Sequence, residues 1–317
     1  MKIGLMVGRE HSFPHAFIDR VGEIGRPHGI SAEFVKLAGT KFDEPPAYRV
    51  IVDRISHEVE YYRGYLKYAA MNGTYVINNP FWWTADDKFF NYALMSRLGV
   101  AIPKTVLLPQ KAYPADVDIL PASLRNLDYP IDWDGLLEYV GLPAILKPYS
   151  GGGWKHVYKV ENRDELIAAY DGTAPYAMTL QQFVRFDQYV RCFTFGKTDI
   201  TPVRYDVHER RYLVEHEYLD SEVGARIVGD AQTLNTALGY EMNTIEFAVE
   251  NGVPYAIDFL NPAPDFERDR ITPHYFDIVV EKMARLVIDR ATSGEPSQSW
   301  PRWAEMTGLA AGARGPV

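Results

Sequence analysis

The chain has 317 residues, of which 47% are hydrophobic and 24% are charged, the composition of an ordinary soluble globular protein. At this length we expect two or three subdomains rather than a single small core. The net charge of −9 argues against a nucleic-acid partner, which requires a basic surface. No apolar stretch approaches the ~20 residues of a membrane span, so a membrane partner is not expected either.

The N-terminal residues and the cysteine content bear on the compartment. The first ten residues contain a short apolar strand and lack the long apolar region of a signal peptide. The single cysteine, Cys192, cannot form an internal disulfide, and the alternating strand pattern around it favours a buried structural thiol over a nucleophile. We therefore expect a cytoplasmic location.

The first 80 residues alternate apolar strands with amphipathic helices. Strands are predicted at residues 2–7, 32–37, 48–55 and 74–78, and helices are predicted after Ser12 and at 57–71. This β-α-β-β-α-β order is typical of a small open α/β sheet, and no G-x-G-x-x-G motif indicates a dinucleotide. Arg54 ends the third strand at the carboxyl edge of the sheet, where ligands tend to bind, so it is a candidate substrate contact.

A glycine-rich loop lies in the middle of the chain. Before it, a helix is predicted from Thr84 with Lys88 on its first turn, and residues 109–139 are predicted to be an insertion with short helical turns. Two antiparallel strands are predicted within residues 142–160, joined by three consecutive glycines that follow Lys147. The backbone N–H groups of such a loop can approach an anion, and the lysine adds a positive charge. Taken alone, the same pattern also fits an ordinary mobile hairpin turn.

The remaining pattern is mostly strands, with two further helices. Strands are predicted at residues 178–184, 189–195, 200–207, 242–249 and 255–260, and helices at 221–238 and 275–291. The pair Asn251-Gly252 between the last two strands is a strong hairpin signal. The hairpin places Glu246 and Asp258 on neighbouring antiparallel strands, close to Asn261. The Ser/Pro/Gly-rich tail from residue 292 onward is expected to be loosely held.

The acidic hairpin has two interpretations. Carboxylates are costly to bury in an apolar hairpin unless a cation lies beside them, and oxygen ligands of this kind suit Mg²⁺. Alternatively, Glu246 and Asp258 pair with Arg204 or Lys147 in a buried ion cluster. The hairpin by itself does not decide between a metal site and an ion cluster.

Four motifs in this order carry a family resemblance: Asp87-Lys88, Leu146-Lys147-Pro148 with its glycine loop, the strand at 179–184, and Asp258 with Asn261-Pro262. Together they resemble the ATP-grasp superfamily, in the branch of glutathione synthetase and ribosomal-protein glutamate ligases. The resemblance extends from residue 1 to about residue 291. It implies a mixed α/β and α+β fold with a Rossmann-like N-terminal domain (1–104), a lid subdomain (105–182) and a C-terminal subdomain (183–294), followed by a tail (295–317).

The resemblance also implies a nucleotide site that holds ATP between the two α+β subdomains. The implied nucleotide contacts are Lys88, Lys147, Ser150, Gly151, Gly152, Gly153, Gln181, Gln182, Phe183, Asp187 and Tyr189. The two lysines would contact the phosphates, the loop at 150–153 would close over them as a lid, and the backbone of Gln182 and Phe183 would bond the adenine edge.

Metal, catalytic and substrate roles follow from the same resemblance. Glu246, Asp258 and Asn261 would hold one or two Mg²⁺ ions, with Mn²⁺ as an alternative. The implied catalytic residues are Lys147, Arg191 and Arg204, the two arginines facing one cleft. Arg204 is also an implied substrate contact. Arg54 and His274 are further substrate candidates from their positions in the chain, and His274 could equally cap the last helix.

The chain departs from the family pattern at several positions. Asn261 follows Asp258 by three residues instead of two, and Glu246 stands where aspartate is commoner. Tyr189 occupies the position of the ribose-binding acid, which leaves Asp187 or Gln188 as substitutes. The segment after Arg204 lacks the residues that related ligases place around the acceptor, so the substrate is open.

The chemistry implied by the resemblance is ligation of a carboxylate to an amine, at the expense of ATP, through an acyl phosphate. The substrates would be a small-molecule or peptide acid and amine. A small-molecule kinase on the same scaffold and a non-catalytic nucleotide-binding module are the alternatives. The oligomeric state is open, a homo-oligomer included.

Overall fold

The computed structural model describes residues 1–81, 87–113, 118–151, 154–214 and 219–294. Thr84, Gly152, Gly153 and the tail from residue 295 therefore lie outside the described residues. The chain divides into two units, the first made of Met1–Trp83, Tyr189–Phe247 and Asp258–Val317, the second of Thr84–Gln188 and Ala248–Ile257. The division into N-terminal, lid and C-terminal parts stays a prediction.

The first unit contains a parallel sheet at the N-terminal end of the chain. Its elements are β1 (Lys2–Met6), α1 (Ser12–Gly25), β2 (Ser31–Phe34), β3 (Val50–Asp53), α2 (Glu60–Met71) and β4 (Tyr75–Ile77). The strand order is β2-β1-β3-β4 and the pairs are parallel. The central strands β1 and β3 are buried almost throughout, as expected for a parallel sheet with both faces covered. The predicted order of strands and helices is confirmed.

The second unit is built on an antiparallel sheet. Its elements are α3 (Lys88–Arg97), β5 (Thr105–Leu108), α4 (Trp133–Val140), β6 (Ala144–Pro148), β7 (Tyr158–Val160), α5 (Arg163–Asp171) and β8 (Met178–Gln182). The strand order is β5-β8-β6-β7. The predicted strands on either side of the glycine loop are β6 and β7, with Ala144 opposite Val160. The helix predicted from Thr84 begins at Lys88 instead, where Asp87 accepts a hydrogen bond from the Phe90 backbone at 2.7 Å.

A second, five-stranded sheet belongs mainly to the first unit. Its elements are β9 (Gln188–Phe195), β10 (Asp199–Asp206), β11 (Arg211–Tyr212), α6 (Ser221–Leu238), β12 (Met242–Glu250), β13 (Val253–Asp258) and α7 (Arg268–Ser293). The strand order is β11-β10-β9-β12-β13. Asn251 and Gly252 have φ of 51° and 76°, so the predicted hairpin turn between β12 and β13 is confirmed. None of the helices that the structure describes could cross a bilayer.

The last helix begins earlier than predicted. The sequence pattern predicts a start at residue 275, whereas α7 begins at Arg268 and is interrupted at Thr272, whose φ is 70°. The helix resumes at Pro273, and proline suits a first turn because the N–H group it lacks is not needed there. The apolar side of α7 after this interruption packs into the main core of the first unit, together with Phe13, Phe193 and Phe266.

Helix α1 is capped by a residue from outside its own segment. The Glu267 carboxylate accepts hydrogen bonds from the backbone N–H groups of His11, Ser12 and Phe13 and from the Ser12 hydroxyl. In return the Ser12 hydroxyl accepts the backbone N–H of Arg268 at 2.9 Å. Partial burial would raise the pKa of Glu267, but these hydrogen bonds outweigh it and hold the pKa below its usual value. The ends of α1 and α7 are therefore joined by an ionised carboxylate.

Replacement of Glu267 with glutamine should reduce the pH dependence of stability. Because its folded-state pKa is lowered, Glu267 contributes stability that is complete above its unfolded pKa of about 4.3 and is lost as the pH falls through the folded-state value. We expect urea unfolding of the wild type to weaken more steeply than that of Glu267→Gln between pH 5 and about pH 3. The exposed Asp269→Asn serves as control, and parallel pH curves for Glu267→Gln and wild type would contradict the assignment.

Asn78 connects the end of β4 to the beginning of β12 and to the segment after β13. Its side-chain amide donates to the carbonyls of Met242 at 2.7 Å and Pro262 at 3.2 Å. Its side-chain oxygen accepts the backbone N–H groups of Glu241 at 2.7 Å and Met242 at 2.9 Å. Asn78 is buried, so one amide side chain satisfies four backbone groups that water does not reach.

Truncation of Asn78 should be among the more destabilising substitutions in the chain. Asn78→Ala removes partners from buried backbone groups of Glu241, Met242 and Pro262, each of which costs roughly 1–3 kcal/mol when left unsatisfied. Partial relaxation reduces the sum, and we expect a loss of about 3 kcal/mol or more in the free energy of unfolding. Urea denaturation measures it, with the exposed Asn72→Ala as control. A loss below about 1 kcal/mol would be inconsistent with this role.

Candidate functional site

One face of β9 carries both a core and a polar site. Side chains two residues apart in a strand project from the same face, so Tyr189 and Arg191 share the face of Phe193 and Phe195. The two phenylalanines are buried in the main core of the first unit. The polar pair lies at the other end of the same strand. One face of β9 thus contributes to the apolar core at one end of the strand and to a charged cluster at the other.

The Arg191 guanidinium is the centre of this cluster. Its Nη2 lies 2.6 Å from Oε1 of Glu246 on β12, and both side chains are only 17% exposed. The guanidinium carbon stands 3.8 Å from the centre of the Tyr205 ring, and Nη1 donates to the Tyr212 hydroxyl at 3.3 Å. Burial lowers the pKa of Arg191, but Glu246, Tyr212 and Tyr189 together raise it above its usual value, so the guanidinium stays charged.

Tyr189 completes the pairing of Glu246. Its hydroxyl donates a short hydrogen bond to Oε2 of Glu246. Burial, and then the negative charge of Glu246, raise the pKa of Tyr189 well above its usual value. Tyr189 therefore remains a hydrogen-bond donor throughout the physiological pH range. Tyr212 is held protonated in the same way, because burial raises its pKa to about 12.

Asp258 and Asn261 lie at the end of the neighbouring strand. Asp258 is the last residue of β13, and its charge acts on Tyr189. The Asn261 amide donates to the Thr244 hydroxyl at 2.6 Å. Because Thr244 and Glu246 are two residues apart on β12, Asn261 lies on the same sheet face as Glu246 in spite of its unusual spacing from Asp258.

The donor set suits magnesium in its chemistry. Asp258 and Asn261 offer oxygen atoms, and Mg²⁺ is bound by one or two carboxylates together with substrate phosphates. Glu246 is a third oxygen donor, although both of its oxygens already accept hydrogen bonds. Within the ranges that the structure describes, no group of three or more His, Cys, Asp or Glu side chains could hold a metal ion. A site here would need the amide oxygen of Asn261 and a ligand of the nucleotide.

The prediction that Arg191 and Arg204 face one cleft is wrong. In the β9–β10 register, Val203 is opposite Arg191 and Arg204 is opposite Val190. Residues directly opposite each other project from the same face, and neighbours along a strand alternate. Arg204 therefore lies on the opposite face of the sheet from Arg191, the face that Val190 shares with the buried Cys192. Its position gives no support to the predicted catalytic or substrate role.

The two predicted phosphate lysines belong to the second unit and lie at the start of the glycine loop. The Lys88 ammonium donates to the Gly151 carbonyl at 2.6 Å, and the Lys88 backbone N–H donates to the Tyr149 carbonyl at 2.8 Å. Lys147, two residues before Tyr149, donates to the side chain of Gln181 at 2.9 Å. The structure thus brings Lys88 to the described part of the loop, where Ser150 and Gly151 are exposed, whereas the Lys147 ammonium also donates to the Ile257 carbonyl at 3.0 Å. Gly152 and Gly153 lie outside the described residues.

The predicted adenine contacts are partly occupied by the protein itself. The backbone N–H of Gln182 donates to the Lys104 carbonyl at 2.8 Å, and that of Phe183 donates to the Pro143 carbonyl at 3.3 Å. Both predicted N–H donors are therefore already used. The Gln181 side chain bridges Lys147 and Thr105, which makes it a support for the lysine. Asp187 is exposed, as a ribose contact would require, and that role stays a prediction.

Arg54 is part of the core instead of an open surface. Its side chain is 1% exposed and pairs with Glu10, with Nε at 2.8 and 2.9 Å from the two carboxylate oxygens. The guanidinium lies between the rings of Phe13 at 4.8 Å and Phe266 at 4.7 Å, and it also donates to the Pro264 carbonyl. These contacts favour a structural role over the predicted substrate contact.

His274 and the tyrosines complete the comparison of prediction with structure. His274 is exposed on the first turn of α7 after its interruption, and its predicted contact with a substrate stays a prediction. Tyr205, Tyr212 and Thr244 were not predicted as site residues. Each lies in a strand whose side chains alternate between two faces, but a tyrosine in a strand looks like a core residue until the register is known.

Comparison with known proteins gives the class of fold. No protein-family model matches the chain. A D-alanine–D-alanine ligase from Chromohalobacter salexigens is 33% identical over 89 residues, a match that covers 27% of this chain and 28% of the ligase. The chain thus matches little more than a quarter of the length of that curated relative.

Two solved structures are similar over nearly the whole chain. A RimK domain ATP-grasp protein from Sphaerobacter thermophilus has a TM-score of 0.64 and 17% identity, over 91% of this chain and 100% of that one. The ATP-grasp ligase PsnB, solved with the precursor peptide PsnA2 and AMPPNP, has a TM-score of 0.61 and 14% identity, over 92% and 97% of the two chains. The chain therefore has the ATP-grasp fold, which confirms the fold expected from the sequence motifs.

Arg54 offers a direct test of structural against substrate roles. Arg54→Met leaves the Glu10 carboxylate, 15% exposed, without its positive partner, and we expect a loss of about 3–5 kcal/mol in the free energy of unfolding. The double variant Glu10→Met/Arg54→Met should recover a large part of that loss, because it removes both charges. Chemical denaturation of the wild type, Arg54→Met and the double variant measures both effects. Full stability of Arg54→Met would instead point to a functional role.

Proposed function

We propose that the chain is an ATP- and Mg²⁺-dependent ligase that joins a carboxylate to an amine. The observation that carries the proposal is the mostly buried Arg191, paired with Glu246 of β12, next to the strand β13 at whose end the oxygen donors Asp258 and Asn261 lie. The likeness to PsnB, solved with AMPPNP and a peptide, supports the nucleotide and the class of reaction. The short match to a D-alanine–D-alanine ligase supports the same class.

In the proposed reaction, the substrate carboxylate attacks the γ-phosphorus of ATP, forming an acyl phosphate and releasing ADP. The amine then attacks the acyl carbon, the phosphate leaves, an amide bond forms and the amine loses a proton. Bound Mg²⁺ would screen the negative charge of the β- and γ-phosphates. The transferred group carries most of its charge on phosphoryl oxygens, so catalysis depends mainly on placed positive charges.

In the proposed reaction, different residues bind the phosphates, bind the metal and stabilise the transferred phosphoryl group. Lys88 and Lys147 bind phosphate oxygens, and the loop that begins at Ser150 covers them and excludes water from the acyl phosphate. Asp258 and Asn261 supply metal ligands. Arg191 stabilises negative charge on the transferred phosphoryl group, since its guanidinium stays charged while buried. The substrates are a small-molecule or peptide acid and amine, and the reaction is expected to take place in the cytoplasm.

The test is a screen for ADP release with Mg-ATP and pairs of amino acids or dipeptides. We expect ADP release that requires both an acid and an amine, together with an amide product of matching mass. Lys147→Met should lower turnover by at least about 100-fold, because it removes a charge that faces the phosphates in the transition state. Lys111→Met, which removes a surface lysine paired with Asp171 in the second unit, is the matched control.

Other outcomes of the screen decide against the proposal. ADP release that needs no amine and yields a phosphorylated hydroxyl compound would establish a kinase. Nucleotide binding without turnover for any acid and amine pair would favour a non-catalytic module. Unchanged turnover in Lys147→Met would remove the lysine from the reaction altogether.

A further inference from the structure

We propose that Glu246 is not a metal ligand in this chain but a positioning residue for Arg191, and that the metal site consists of Asp258 and Asn261 and holds a single divalent cation. The inference rests on the proposed function and refines its metal site. It replaces the predicted set of three metal ligands and the choice between one and two ions.

Both oxygens of the Glu246 carboxylate already have partners. Oε2 accepts the Tyr189 hydroxyl and Oε1 accepts Arg191 Nη2 at 2.6 Å. Each oxygen thus already has a donor, and one donor carries a full positive charge. A divalent cation bound to the same carboxylate would lie next to that guanidinium, and the like charges would repel each other with little water to screen them.

The Arg191 guanidinium has little freedom to move away from Glu246. The Tyr205 ring covers it at 3.8 Å and the Tyr212 hydroxyl accepts from Nη1. A planar guanidinium stacked on an aromatic ring and bonded at its edge has few alternative rotamers. Its Nε is buried and has no hydrogen-bond partner in the described parts of the chain. Arg191 thus fills the place beside Glu246 that a second cation would need.

Asp258 differs from Glu246 in its ion pairs. Asp258 is partly buried and forms no ion pair with any residue that the structure describes. The Asn261 amide nitrogen is fixed by Thr244, which leaves the amide oxygen for a cation. One carboxylate, one amide oxygen and phosphate oxygens are the kind of ligands that Mg²⁺ usually takes.

Tyr189, beside Glu246, departs from the ATP-grasp pattern. Tyr189 stands where the pattern has an acid, and it is this residue that binds the second oxygen of Glu246. An acid at position 189 would repel Glu246 instead of binding it. The substitution therefore strengthens the Glu246–Arg191 pair and makes a second metal ion at Glu246 less favourable.

The experiment titrates Mn²⁺ into the full chain with AMPPNP and follows bound Mn²⁺ by electron paramagnetic resonance. We expect one Mn²⁺ per protein–AMPPNP complex. Glu246→Gln should leave the Mn²⁺ dissociation constant within about two-fold, whereas Asp258→Asn should raise it by about 10-fold or more. Glu250→Gln, at the far end of β12, is the matched control for loss of a carboxylate from that strand.

Arg191→Met gives a second readout that a merely structural role would not produce. Without the guanidinium, Glu246 carries an uncompensated negative charge, so the complex should bind two Mn²⁺ ions instead of one. In the turnover assay, Glu246→Gln should lower kcat while it leaves the KM for ATP within about two-fold, because only the placement of Arg191 changes.

The outcomes separate this inference from the function on which it rests. Two Mn²⁺ ions in the wild type, a loss of Mn²⁺ affinity in Glu246→Gln equal to that in Asp258→Asn, or no additional ion in Arg191→Met would each overturn the assignment of Glu246 alone. The wild-type stoichiometry requires no variant, so a misfolded mutant does not remove the test. Failure of the wild type to bind Mn²⁺ with AMPPNP would overturn the nucleotide site as well.

Discussion

The pair formed by Glu246 and Arg191 constrains the chemistry of the first unit. A carboxylate and a guanidinium lose much of their hydration when both are mostly buried, and the attraction between the two side chains offsets part of that loss. Tyr189 and Tyr212 add hydrogen bonds from either side, and burial keeps both phenols protonated. The side chains of the cluster are therefore held in place by several contacts at once.

The parallel sheet at the N-terminal end of the chain is joined by hydrogen bonds to the strand that carries Glu246. Asn78 and Arg54 both leave its carboxyl edge, and both contact Met242 and the segment after Asn261. In many α/β proteins the carboxyl edge of such a sheet binds the ligand. Here two polar side chains use that edge to hold the beginning of β12, which carries Glu246, and the segment after β13, which carries Asn261.

Several elements could be predicted because local physics decides them. The period of the apolar residues predicted the strands and helices of the first sheet, Asn251-Gly252 predicted the hairpin, and Gly239 marked the end of α6 in the left-handed conformation. Predictions that depended on a partner far along the chain fared less well. Arg54 was expected at a surface, whereas Glu10, Phe13 and Phe266 enclose it.

The sequence by itself determined which residues could carry charge to the site and in what order, since the ATP-grasp motifs are short, local and readable one by one. Only the tertiary structure decided which of these residues share a face. The β9–β10 register separates Arg204 from Arg191, and the pairing of β9 beside β12 joins Tyr189 and Arg191 to Glu246. A shift of one residue in register would reverse each of these outcomes, and register is set by packing across strands distant in sequence.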